Sequence, residues 1–168
     1  MPITQISVSA IGQDSHRFES DGSPKPLILG GIAVSGAPGL AGNSDADVIL
    51  HALTNAVSGI SGVNILGGVS DDLCLNQGIT DSRAYLEKAL ETLAADRWEL
   101  THVSISVEAK RPRLSGVIPD IKRSVAALLS LPEKSVGLTA TTGEGLTSFG
   151  RGEGMQAFAI VSAVREVS

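Results

Sequence analysis

Asn43-Ser44-Asp45-Ala46-Asp47-Val48-Ile49-Leu50-His51 is the stretch where a polar loop becomes an apolar helix. Asn43 or Ser44 has the short polar side chain of an N-cap, and Asp45 and Asp47 place carboxylates where a helix dipole favours them. Val48, His51, Ala52, Leu53, Ala56, Val57 and Ile60 then continue at helical spacing. A helix over residues 44–60 carries His51 two turns inside, facing whatever packs on its apolar side. The preceding element supplies the partner. Residues 3–12 alternate loosely through Ile3, Ile6, Val8 and Ile11 and predict a strand running into Gly12-Gln13-Asp14-Ser15-His16. Asp14 and His16 are two apart, so on extended chain they share a face. Two imidazoles and a carboxylate suit a catalytic zinc with its fourth position open. The same residues also fit a hydrogen-bonded core histidine beside an ordinary Asp-x-His strand, and spacing alone leaves both readings standing.

Working outward, Leu27–Val34 predicts a second strand broken by Gly30-Gly31, followed by a Gly/Pro loop over 35–42. Residues 61–78 hold several glycines and Asp71-Asp72 and predict an irregular loop over a site. Thr80 or Asp81 caps a second helix with Tyr85, Leu86, Ala89, Leu90 and Leu93 on one face. Residues 100–107 predict a strand, and Pro119 starts a third helix with Ile121, Val125, Leu128 and Leu129. Strands over 136–140 and 155–164 follow. Strand, strand, helix, helix, strand, helix, strand, strand predicts one α+β domain over residues 1–168, a two-layer α/β sandwich with a mixed sheet and its helices on one face.

Composition narrows the function. At 168 residues with 42% hydrophobic and 18% charged residues, the chain can bury a proper core. No apolar run approaches the roughly 20 residues of a membrane span. No signal or transit pattern opens it, and Cys74 is its lone cysteine, so the expected setting is a reducing cytoplasm of bacterial type. A net charge of −5, with no basic stretch interleaved with aromatics, argues against nucleic acid. Lys110-Arg111-Pro112-Arg113 is where cations converge. Aromatics at 3% and 19 glycines make a core of small residues and hint at surface buried between subunits. Thr141-Thr142-Gly143-Glu144 leaves a strand end with hydroxyls, free amides and a carboxylate. That suits a diphosphate with a magnesium ion, or an ordinary Gly-rich turn.

Taken jointly, Gly12-Gln13-Asp14-Ser15-His16, Ser44-Asp45-x-Asp47-x-x-x-His51, Thr80-Asp81-Ser82, Ala140-Thr141-Thr142-x-Glu144 and Gly150-Arg151-Gly152-Glu153-Gly154 occur in a characteristic order and separation. From about Ile11 to Val164 the chain resembles the 2-C-methyl-D-erythritol 2,4-cyclodiphosphate synthase family of the non-mevalonate isoprenoid pathway. The resemblance implies a homotrimer with interfacial sites. It implies Zn2+ or another divalent metal on Asp14, His16 and His51, and Mg2+ or Mn2+ bridging the substrate diphosphate with help from Glu144. The implied substrate is a cytidyl diphosphate whose own 2-phosphate attacks its β-phosphorus and expels CMP. Asn43 and Thr142 match positions near the reacting phosphates, and Ser15, Ser44, Thr141, Gly143 and Ser148 match the surrounding substrate contacts. The turn Ala109, Lys110, Arg111, Pro112, Arg113, Leu114 and Ser115 matches the cytidine pocket. Gly67, Ser70, Asp71 and Asp72 match the sugar loop. Arg151 and Glu153 match residues near a threefold axis.

The chain also departs from the pattern. Asn43 stands where the family usually has His, Ala46 where it has Gly, Ile65-Leu66-Gly67 for Asp-Ile-Gly, Ser70–Cys74 for Phe-Pro-Asp-Thr-Asp, and Gly143-Glu144-Gly145 for Thr-Glu-Lys. These mark a divergent branch. Two alternatives to the cyclising lyase are a phosphohydrolase using the same triad and a trimeric metal-binding scaffold without activity.

Overall fold

Gly12 does not end the first strand. In the computed structural model, which describes residues 4–167, β1 runs unbroken over Thr4–Arg17 and takes Asp14 and His16 with it. It pairs antiparallel with β6 (Gly154–Val167) along its whole length, from Thr4 opposite Val167 to Arg17 opposite Gly154. That ladder keeps the polar Gln13–Arg17 segment extended where local composition favours a turn. Ile3, read with this strand, lies outside the described residues.

The sheet order is β1-β6-β4-β5. β4 (Glu99–Glu108) runs antiparallel to β6 and parallel to β5 (Val136–Thr141), which returns through α4 (Ile118–Leu129) as a βαβ unit. The sheet is therefore mixed, as the element order predicts. Leu27–Val34 is no part of it. Its halves, β2 (Leu27–Leu29) and β3 (Ile32–Val34), pair as a separate hairpin. Gly30 and Gly31 take φ of 61° and 83°, the two positive values that a tight hairpin turn matching the strand twist requires.

α1 (Val48–Ser61) begins later than the sequence predicts, and Asp47 is its N-cap. The delay has a local cause. Ser44 Oγ accepts the Ala46 N–H and Asp45 Oδ1 accepts the Asp47 N–H, so side chains compete for the backbone donors. Ala46 also sits at φ 56°, outside any right-handed helix. His51 therefore lies one turn inside the helix rather than two. Residues 68–76 are helical as well: α2 (Gly68–Asp71) runs into a single π turn over Asp72–Asn76, where composition suggests only loop. α3 (Ser82–Ala95) is capped by Asp81 and packs on α1.

Helices cover one face of the sheet. Val103, Ile105 and Val107 of β4 and Met155, Ala157, Ala159, Val161 and Ala163 of β6 are buried on that side with the apolar residues of α1, α3 and α4. Small side chains on β6 let α1 come close. A Cβ at Gly12 would stand 2.1 Å from the Ala52 carbonyl oxygen and 2.3 Å from the Ala56 nitrogen, so β1 and α1 touch backbone to backbone. No described helix is long and apolar enough to cross a membrane.

Gly12→Ala is expected to lower stability by about 3 kcal/mol, because overpacking here can be relieved only by moving main chain. Gly62→Ala, at the C-cap of α1 with φ 74° and open space around it, is expected to cost about 1 kcal/mol. Urea denaturation midpoints of the two variants check the difference.

Candidate active site

Strand alternation and helix register bring Asp14, His16 and His51 to one point. Asp14 Oδ2 lies 2.7 Å from His16 Nε2 and 3.1 Å from His51 Nδ1, and the two ring nitrogens are 3.2 Å apart. Ligand atoms on a tetrahedral zinc at about 2.0–2.1 Å would be roughly 3.3 Å from one another. The observed triangle is at or just inside that size, so the three residues form a potential divalent-metal triad. The far sides of both rings are held too. His16 Nδ1 donates to the Ala41 carbonyl at 2.9 Å, which leaves Nε2 facing the triad. His51 Nε2 meets Ser82 Oγ at 2.8 Å.

Charge and burial act on each other here. Burial raises the Asp14 carboxyl, but its hydrogen bond with His16 and the charge of the two rings outweigh it and bring it down to about 2. Burial lowers the His16 imidazole, yet its bond and charge interaction with Asp14 carry it above its ordinary 6.5. The metal-free pair therefore stabilises the fold fully between the unfolded carboxyl value of 3.8 and the unfolded imidazole value of 6.5. That contribution is lost as pH falls toward 2 and as pH rises through the raised value of His16.

The other residues implied by the resemblance fall into three groups. Asn43 and Ser44 sit in the loop beside the triad. Gly42 is packed against the His16 ring, and the Asn43 carbonyl accepts the Cys74 thiol at 3.4 Å, which brings the 68–76 helical segment alongside. In that segment Ser70 is buried and its hydroxyl is spent on Gly67, donating to the carbonyl at 3.1 Å and accepting the N–H at 3.0 Å. The Asp72 carboxylate accepts from Asn76 and Gln77, and Asp71 is exposed.

The second group lines a cavity of about 530 Å³ at the opposite sheet edge, formed by Ala109, Lys110, Pro112–Ser115 and Ala140–Thr142. Arg111 is not part of it. Its guanidinium lies over the Phe18 ring at 5.0 Å and pairs with Asp21 at 3.1 Å. Glu144 is exposed on the turn after β5, at φ 51°, and is not among the carboxylates that converge with the two histidines. Gly143 lies against Glu108, where a Cβ would collide with the carboxylate. In the third group, Ser15 and Ser148 line a cavity of about 250 Å³ on the other side of His16, and Arg151 bonds Ser148 and Glu153.

The first two groups lie apart within one chain. Ser15, Gln156, Glu108 and Thr141 form one row across all four strands, so triad and cavity open at the same end of the sheet. Three strand spacings of about 4.8 Å put its two edges roughly 14 Å apart.

Two features escape the sequence reading. Lys25 donates to the Gly42 carbonyl at 2.9 Å and so brings an ammonium beside Asn43. Ser82 and Asp45, which the sequence shows only as parts of two separate motifs, stand together behind His51. Neither has a spacing signal, since both contacts depend on chain that is remote in sequence.

Divalent-ion binding must displace the proton that Asp14 stabilises on His16. Zinc affinity, measured by chelator competition, is expected to climb with pH above 6.5 and to level off once His16 is neutral. A flat profile would remove His16 from the ligand set.

The YgbB family model matches residues 8–164. A 2-C-methyl-D-erythritol 2,4-cyclodiphosphate synthase of Chlamydia trachomatis is 45% identical over 152 residues, 90% of this chain and 85% of that protein. Among solved structures, the bifunctional IspDF of Campylobacter jejuni superposes with a TM-score of 0.87 at 30% identity over 98% of this chain, which spans 44% of that longer protein. A 2C-methyl-D-erythritol-2,4-cyclodiphosphate synthase in its CDP-bound form superposes with a TM-score of 0.81 at 30% identity, over 92% of this chain and 98% of that one. The chain belongs to the YgbB family, that of the 2-C-methyl-D-erythritol 2,4-cyclodiphosphate synthases.

Proposed function

We propose that this chain is a phosphorus-oxygen lyase. It converts 4-diphosphocytidyl-2-C-methyl-D-erythritol 2-phosphate into 2-C-methyl-D-erythritol 2,4-cyclodiphosphate and CMP. The observation that carries this reading is the convergence of Asp14, His16 and His51 at the sheet end where the 109–115 and 140–142 cavity also opens. A 2-phosphate oxygen forms a bond to the β-phosphorus. The bond from that phosphorus to the bridging oxygen breaks, and CMP leaves with the electron pair. The nucleophile is part of the substrate and already ionised, so no side chain need act as general base. What remains is to hold two anions together and stabilise the charge that moves.

A divalent ion on the triad, zinc on this donor set, would polarise a β-phosphate oxygen, and Mg2+ or Mn2+ would accompany the diphosphate beside Glu144. The protein's own groups do the rest. The Asn43 amide and Thr142 hydroxyl donate to the reacting phosphates. Lys25 brings the positive charge that Asn43 lacks. Lys110 and Arg113 offset charge at the cavity, while the backbone of 109–115 receives the cytidine. Asp71, Gly67 and the free groups of the 68–76 segment would meet the sugar, with Ser70 acting only through the turn that it closes.

The active site lies between copies in a homotrimer, with the triad of one copy facing the cavity of the next. Two observations support this: the roughly 14 Å between the two groups within one chain, and the open face of the sheet. On that face Ile11 is 63% exposed and Phe158 and Ile160 are 41% and 46% exposed, an apolar strip that a second copy would cover. A setting in the cytoplasm fits such an assembly.

Phosphorus NMR of the protein with the cytidyl diphosphate substrate, zinc and magnesium should show CMP and the coupled resonances of a cyclic diphosphate. A linear phosphate product would indicate hydrolysis instead, and an unchanged spectrum a scaffold. Asp14→Asn and His51→Ala are each expected to strip the zinc and reduce turnover by 10³-fold or more, on the order of 4 kcal/mol of transition-state stabilisation. Ile11→Lys with Ile160→Lys should convert a trimer to monomer in sedimentation and remove activity with it; an active monomer would place the complete site within one chain.

A further inference from the structure

Behind His51 runs a hydrogen-bonded chain that reaches a second carboxylate. Ser82, the first residue of α3, is fully buried. Its N–H donates to Asp45 Oδ2 at 3.0 Å, and its hydroxyl donates to Asp45 Oδ1. Asp45 is itself fixed, since its own N–H donates to the Thr80 carbonyl at 2.8 Å. His51 Nε2 closes the chain at 2.8 Å from Ser82 Oγ.

We propose that Asp45 and Ser82 are positioning residues for the metal triad, holding His51 in the tautomer that leaves Nδ1 free to ligate. This rests on the reading of Asp14, His16 and His51 as a divalent-metal site. The direction of the chain follows from donor and acceptor counts. A carboxylate can only accept. Both donors of Ser82, N–H and O–H, are therefore committed to Asp45. Its hydroxyl oxygen has lone pairs left and no hydrogen to offer His51. The bond at 2.8 Å must then be donated by His51, which places the ring proton on Nε2. In the neutral ring Nδ1 is then bare, and it is Nδ1 that faces Asp14 Oδ2 and His16 Nε2. His16 reaches the equivalent state through the Ala41 carbonyl. Two unrelated outer contacts thus set opposite ring atoms, Nε2 of one histidine and Nδ1 of the other, toward one point.

The assignment separates two substitutions that look alike. Ser82→Ala removes the acceptor and leaves His51 without a directed partner. Asp45→Asn does more than weaken the chain. The Asp45 carboxylate accepts three donors, the Ser82 N–H and O–H and the Asp47 N–H, and a carboxamide has one oxygen. With that oxygen on the Ser82 N–H, the NH2 gives up the Asp47 N–H and is turned toward Ser82 Oγ as a donor. The Ser82 hydroxyl is then released to donate to His51 Nε2, so the ring proton moves to Nδ1, the atom needed for the metal.

The test is made on full-length protein labelled with ¹⁵N-histidine, metal-free, at a pH where the rings are neutral. Long-range ¹H–¹⁵N correlation spectra should show His51 protonated at Nε2. Zinc affinity by chelator competition should fall about 10- to 100-fold in Ser82→Ala, fall further in Asp45→Asn with the proton now on Nδ1, and be retained in Ser82→Thr. Thermal unfolding of each variant separates these effects from loss of fold. Protonation of His51 at Nδ1 in the unsubstituted protein would overturn the proposal, as would unchanged zinc affinity in both variants. Should Ser82→Ala not fold, the Asp45→Asn variant and the tautomer in the unsubstituted protein still decide it. Should the unsubstituted protein take no zinc, the metal reading fails, while the His51 tautomer independently decides the relay.

Discussion

The carboxylate of Asp47 is the constraint on which the rest of the structure depends. It is fully buried and accepts four backbone N–H groups, from Gly30, Gly31, Ile49 and Leu50, at 2.7–3.1 Å. Two of these donors belong to the β2–β3 turn and two to the first turn of α1. One side chain thereby satisfies the exposed amides of a helix start and of a tight hairpin, groups that would each be costly to bury unpaired. The Gly30 carbonyl in turn accepts the Ser124 hydroxyl at 2.6 Å, and the hairpin rests on α4. His51 is the residue one turn beyond this anchor, so its reach toward Asp14 is set by a carboxylate buried at the start of the helix.

The parts of this arrangement legible in sequence are those with a short period. Asp14 and His16 share a face because strands alternate, and His51 faces them because the apolar residues of α1 do. The start of α1 was not legible, since Ser44, Asp45 and Asp47 are all competent caps and only the tertiary donors at Gly30 and Gly31 choose Asp47. Residues 68–76 show no periodicity and lie in a stretch, 61–78, with several glycines, yet they form a helix and a π turn closed by Ser70 and by the amides of Asn76 and Gln77. Arg111 and Arg113 look equivalent in the run 110–113. The direction of the chain around Pro112 sends the first to Phe18 and Asp21 and the second to the cavity.

The departures from the family pattern have separate physical costs. Ala46 holds φ 56°, a conformation that glycine takes freely and a residue with a Cβ takes at about 1–2 kcal/mol. The surrounding turns enforce it, since Ser44 and Asp45 close on either side. Asn43 has a different consequence: it keeps a donor and gives up a charge. The ammonium of Lys25, anchored on the Gly42 carbonyl, stands beside Asn43, and Lys110 and Arg113 line the cavity at the other edge.

Direct contact between the main chains of β1 and α1 at Gly12 has a consequence for the order of events. Asp14 and His16 are borne by one element and His51 by the other, and no flexible side chain lies between the two backbones to let them drift. The three candidate ligand atoms are therefore held in place by the fold itself, unlike small domains whose folding is driven by a metal. An ion on such a triad would meet a preformed site, and its identity would follow from supply as well as from the donor set.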